Sequence, residues 1–535
     1  MDWTDRRLWH VALFLGAALM ALPATAQGPL SANDWLRGKG TAPSSSSAWR
    51  PGDPVPPDAV VLRPTRPPVP GRARPGEVAD SASAVPVGVS RLGAANSDGA
   101  GVISARQAGL RENFWSGTTL DTAIRMIRAN PTLPAAKQVA RRVIEAQIAP
   151  PSNPDQARIG EFFTARVDQL IADGALPSAR VMLQGAGPDN AQTFRRLFDL
   201  SLLLGGEDQT CARMNDAPGI APDPAARIFC MAQSGDWPAA ATVFMGAQRL
   251  GMLDPQMTEL LRHYLDDSSA DGAEPLTPPQ PMTPLAFRLH EGIGQPLPTG
   301  DLDLKYAWAD LDERAGWKAQ LEAAERLARA GVLPSDTLQQ LYGAQSPAAS
   351  GGVWERAAAM QALDGAIATD DPARIGPALT HAFRLLEATG LRDSFASMVA
   401  GRVAPETLTG EPQRLALWLQ LWSGNVEVMQ SPQEPLDQAL LALASGGQPE
   451  PLSPALGALA PVFASDLPPL PDPDDGIAIA PALYGALADA DAGTQGDVTR
   501  AARGVQMLRQ LGLIADARRI ATQVALDPLL KGAAQ

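Results

Sequence analysis

Histidine is nearly missing from this chain, with four in 535 residues, and cysteine is rarer still, with two. Tyrosine is held to four, and aromatic residues reach only 5%. Each shortage closes off a class of chemistry. Structural zinc needs about four Cys or His ligands, and two cysteines without a Cys-x-x-Cys cannot supply them. His290-Glu291 opens like a zinc-protease helix, but Gly294 stands where the second imidazole belongs. There is no Gly-x-Ser-x-Gly elbow, no Walker lysine loop and no dinucleotide glycine fingerprint. His263, His290 and His381 lie far apart, each with an ordinary surface or packing role. The acidic turns at Asp472–Gly476 and at Asp489 and Asp491 lack the ligand spacing of a calcium loop. No catalytic constellation, cofactor or metal site is predicted.

Positive charge is also scarce where it would count. The formal net charge is −14. Residues 27–112 carry ten Arg or Lys against seven Asp or Glu, which leaves a balance of −17 on residues 113–535. An acidic body of this kind argues against nucleic acid or an anionic membrane surface as partner.

The amino terminus has an export pattern. Arg6 and Arg7 precede a largely apolar run, Leu8 to Leu22, and Ala24-Thr25-Ala26 forms a small-x-small site. This predicts a signal peptide over 1–26, cleaved near Ala26, and a periplasmic or secreted mature chain. An uncleaved anchor is the alternative, although the run is shorter than the roughly 20 residues of a membrane span. Residues 27–112 are dominated by Pro, Ser, Gly, Ala and Arg, a composition that predicts a disordered linker.

Beyond the linker the apolar spacing is helical and alternating runs are almost absent, so the expected class is all-α. A short phrase recurs five times: a helix end, a glycine, an apolar residue, then a new start. Its glycines are Gly174, Gly251, Gly331, Gly390 and Gly512. Glycine past a helix end takes the left-handed conformation that closes the last turn. The first two intervals, 77 and 80 residues, are about twice the period of helical-hairpin repeats, and the later ones, 59 and 122, break the rhythm. The expectation is a degenerate α-solenoid of helical hairpins, TPR-like or superhelical. Its first half would cover 113–267, a Pro-rich crossing 268–300 and a second half 301–535, with a further Pro-rich interruption at Gly446–Asp475. The alternative is that helix caps simply look alike. Within the second half, helices are predicted at Gly316–Ala330, Val353–Ala368, Pro372–Ala388, Asp393–Val403, Gln413–Trp422 and Leu436–Ala444.

Such a stack resembles the superhelical part of soluble lytic transglycosylases in architecture alone. Their active site carries a Glu-Ser dipeptide, and this chain contains none, so the resemblance implies no muramidase activity.

Two sets of residues stand out. Cys211 and Cys230 flank a connection with two prolines and a glycine, and in an exported chain they are expected to form a disulfide across one hairpin. Trp418 and Trp422, four apart on one helix, are either a binding platform or core. The expected function is non-catalytic: an envelope binding or scaffold protein whose partner is a protein or envelope component. The alternative is a glycan-binding protein or hydrolase whose site is assembled from scattered carboxylates.

Overall fold

Helix punctuation sets the architecture. Many helices open on a capping side chain followed by proline: Asp223 accepts the Ala226 amide, Asp254 that of Met257, and Thr283 that of Ala286. The side chain satisfies an orphan N–H, and proline has none to satisfy. At the other end, all five phrase glycines have positive φ, from 65° to 85°. In each copy the residue after glycine donates back across the last turn, as in Ala175 to Leu170 at 2.8 Å and Leu391 to Leu386 at 2.9 Å. The same closure occurs without the phrase at Gly109, Gly235, Gly294, Gly424 and Gly496. The phrase is therefore a signature of helix ends rather than of a repeat.

A computed structural model describes residues 97–153, 155–187, 190–266, 275–426, 432–464 and 478–534. The expected signal peptide, most of the expected linker and the Asp472–Gly476 turn lie outside them. The described residues belong to one unit, Ser90–Gln535, and they are all-α apart from two two-residue strands. Strand β1 (Ile103–Ser104) pairs in parallel with β2 (Ala146–Gln147), Ile103 opposite Ala146.

The helices follow in order: α1 (Ala105–Ala108), α2 (Leu120–Met126), α3 (Pro134–Glu145), α4 (Glu161–Ala172), α5 (Leu176–Ala186) and α6 (Ala191–Leu204). Then come α7 (Glu207–Asp216), α8 (Pro224–Gln233), α9 (Trp237–Arg249), α10 (Pro255–Leu265) and α11 (Pro284–Gly292). A 3-10 helix, Leu304–Leu311, follows. It leads to α12 (Trp317–Arg329), α13 (Ser335–Gly343), α14 (Gly352–Ala368), α15 (Pro372–Glu387), α16 (Arg392–Val399) and α17 (Glu411–Ser423). The last are α18 (Pro435–Ser445), α19 (Pro454–Ala464), α20 (Ile479–Asp491), α21 (Val498–Gln510) and α22 (Ile514–Ala533).

Two expectations are corrected. Residues 97–112 are folded, not linker. The fully buried Arg166 guanidinium donates to the carbonyls of Asp98, Ala100, Ile144 and Ala146, and the Asp98 carboxylate caps Gly160 and Phe163. Gly101 lies so close to β2 that a Cβ would sit 2.4 Å from Ala146 carbon. The Pro-rich interruption after Gly446 contains α19, which starts on Pro454 and buries Leu456, Leu459 and Val462. Its apolar spacing is helical, and the prolines around it hid that.

One core runs from Ala105 to Leu530. A second, smaller one lies among α6–α11 around Cys211 and Cys230, which form a disulfide between α7 and α8. In an open stack each hairpin touches only its neighbours. Here the last helix, α22, packs on α3 as well as on α17, α18 and α19, and α20 packs on α2 and α3. The chain closes on itself.

Candidate functional site

The closure builds a cleft of about 400 Å³. Its near wall is the start of α3. Asp491, at the end of α20, accepts the amides of Thr132 and Leu133 at 2.8 Å each, and Gln523 on α22 accepts that of Ala135 at 2.9 Å. Arg519 donates to Gln138 at 2.8 Å, and Arg142 pairs with Asp516 at 2.7 Å. These bonds fix the face of α3 that carries Lys137 and Arg141.

The far wall comes from the junction of α15 and α16 and from the ends of α17 and α22. Arg392 is its centre. Its guanidinium pairs with Glu387 on two nitrogens, donates to Asp527 at 2.7 Å and lies 4.8 Å over the Trp422 ring. Lys531 meets the other Asp527 oxygen at 2.6 Å. The Trp422 indole N–H donates to Asp393 at 3.2 Å. Burial pushes the Asp393 carboxyl above the usual aspartate range. Five cations and three carboxylates line this cleft in a strongly acidic protein.

Lys137 and Arg141 stand one helical turn apart, an arrangement that costs a few tenths of a kcal/mol even at a surface. Here they are half-buried. Arg141 donates to the carbonyls of Gly331 and Ala330, at the C-terminal cap of α12, where the helix dipole favours a cation. The Lys137 ammonium makes no hydrogen bond or ion pair with any described residue. Burial, then Arg141, lowers its pKa below the ordinary lysine value. A smaller hollow of about 140 Å³ opens on the other side of the same two residues, beside Asp173. Three of the phrase caps, ending α4, α12 and α15, thus gather around this cationic pair.

Trp418 and Trp422 do not form a shared platform. They are 5% and 3% exposed. Each donates its indole N–H to an aspartate and has an arginine over its face: Trp418 has Asp437 and Arg414, Trp422 has Asp393 and Arg392. Only Trp422 borders the cleft. The reason is the pattern itself. Apolar residues at both flanks of this pair turn the helix inward, and apart from Arg414 of the same helix the polar partners come from other helices. Sequence reasoning missed Lys137. An i, i+4 pair of like charges on a helix with an apolar face was the one visible signal.

A second cleft, of about 370 Å³, lies where α8, α10 and α11 begin. Asp199 faces it with Met252 and Met257, and burial pushes its carboxyl up to about 6. The neighbouring Asp223 and Asp254 already cap helices. His290 is fully buried, and burial lowers its pKa. Among the described residues no three His, Cys, Asp or Glu are grouped to hold a metal, and no helix is long and apolar enough to cross a membrane. The chain matches no protein-family model, no curated protein and no solved structure.

Proposed function

We propose that this chain is an exported, non-catalytic binding protein of the cell envelope, and that the cleft between α3 and α15–α17 receives its partner. One observation carries the reading. Glu387 and Asp527 are paired with Arg392 and one oxygen of Asp393 accepts from Trp422, whereas the Lys137 ammonium has no hydrogen-bond or ion-pair partner among the described residues. A general acid or base must reach the proton it moves, and these groups face each other instead. A cation left unpaired in a half-buried cleft suits recognition. The paired cysteines and the terminal export pattern support a location outside the cytoplasm.

Cell fractionation with sequencing of the mature amino terminus tests the location: the chain is expected in the periplasmic fraction, starting near Gln27. Crosslinking of a tagged chain in intact cells, followed by capture, tests the role. A cytosolic chain, or one that captures no specific partner under crosslinking, ends this reading.

A second reading, an envelope hydrolase or glycan-binding protein, is favoured by Asp199, a carboxyl with a raised pKa in a cleft. Hydrolysis of cell-wall glycan that disappears in Asp199→Asn would establish it. Equal inactivity of both proteins would remove it.

A further inference from the structure

Resting on the binding reading of the same cleft, we infer that its ligand is a compact zwitterion, a carboxylate beside an ammonium, as carried by a free amino acid or the ends of a short peptide. Three features of the cleft converge on this chemistry.

The first is the anion anchor. The Lys137 ammonium has three donors and no hydrogen-bond or ion-pair partner among the described residues; Arg141 stands one turn away, and Asp173, Asp393 and Asp491 offset only part of the burial and repulsion that disfavour its charge. A ligand oxyanion placed against Lys137 supplies the missing charge and hydrogen bonds.

The second is the complementary acceptor. Asp393 lines the same cleft within electrostatic reach of Lys137, and among the described residues only its Oδ1 is engaged, by Trp422. Burial disfavours its charge, and a ligand cation beside it would favour the ionised form. An ammonium next to the bound carboxylate is such a cation.

The third is what surrounds them. Helices α12 and α15 end at the cleft, at Gly331 and Gly390, and their carbonyl ends carry partial negative charge. Glu387 and Asp527 are paired with Arg392 and Lys531, so these helix ends, with Asp393, are the negative features that a dense dianion such as phosphate would meet beside Lys137. A single carboxylate whose charge is balanced within the ligand meets less opposition. The volume, about 400 Å³, is that of a small-molecule site.

Calorimetric titration of the full chain with the dipeptide Ala-Ala tests this, against N-acetyl-Ala-Ala, Ala-Ala-amide and inorganic phosphate. Ala-Ala is expected to bind saturably, the amide about tenfold or more weaker and the acetylated form several-fold weaker, with phosphate weakest. Lys137→Met should abolish binding, and Lys137→Arg should retain part of it. Asp393→Asn should erase the preference for a free amine over an acetylated one. The Lys137 ammonium holds no partner among the described residues, so Lys137→Met should unfold no earlier than the parent. The inference falls if Ala-Ala shows no saturable binding, if the amide binds as well as the acid, if phosphate binds more tightly, or if Lys137→Met binds unchanged. Captured envelope partners alongside failed dipeptide binding would refute only the ligand class. Dipeptide binding in a cytosolic chain would refute only the location.

Discussion

The side-chain oxygen of Gln523 accepts the backbone amide of Ala135 at 2.9 Å, across 388 positions of sequence. A cap normally comes from the residue beside the helix. Here the cap of α3 comes from the last helix, so the wall bearing Lys137 is held by the far end of the chain. Gln523→Ala is expected to lower stability by about 1–2 kcal/mol, and Asp491→Ala by a similar amount. The two residues serve one helix start, so a double-mutant cycle in urea should show coupling rather than simple addition.

Arg392 should be the most sensitive residue of the cleft. Replacing it with Met leaves Glu387 without its cation and Asp527 with Lys531 alone, which costs about 3–5 kcal/mol. Lys531 pairs with the same Asp527 but is 53% exposed, so Lys531→Met should cost less than about 1 kcal/mol. Equal effects of the two in chemical denaturation would contradict the network as described.

The disulfide holds the second core. Cys211 and Cys230 close a loop 19 residues apart, and replacing both with Ala should remove about 2–4 kcal/mol. Melting the parent with and without reductant should show the same gap, and the double variant should not respond to reductant.

His290 makes the fold acid-sensitive. Its folded pKa lies below the ordinary 6.5, so the unfolded chain binds more protons as the pH falls. The stability tied to its neutral form is therefore complete above about pH 6.5 and is lost below it. Between pH 7 and 5 the parent should lose more stability than His290→Leu, as read from urea midpoints.

Asp199 has the opposite sign. Its folded pKa is raised from 3.8 to about 6. Protonation favours the folded state, so this group lowers stability as pH rises from 3.8 towards 6, and the penalty persists above. Asp199→Asn should raise the melting temperature at pH 7 and have little effect near pH 3.5. The surrounding charges, Arg195, Lys305, Asp223 and Arg196, are unchanged by it.

Local features are legible in the sequence. The five glycine caps form where the phrase stands, α12 buries Trp317, Leu321, Ala324 and Leu327 as its spacing predicts, and the two cysteines pair. Each depends on residues near one another along the chain. The cleft does not. Asp491, Gln523 and Asp527 reach α3 and α16 from more than a hundred residues away, and no periodicity encodes such a meeting. Arg166 is the sharpest case. In sequence it is one more charge on an amphipathic helix. In the fold it is fully buried, because four backbone carbonyls, two of them in a stretch that composition had assigned to linker, take its protons.

Because α22 closes onto α3, folding has an order imposed by synthesis. A chain made from its amino terminus produces Pro134–Glu145 long before Gln523, Arg519 and Asp516 exist. Until they do, the start of α3 lacks its caps and the face that α22 will cover stays open. Early helices can form, but the cleft cannot be completed until the final segment arrives. A nascent chain of this design keeps the start of α3 uncapped and the cleft unformed until α22 has been made.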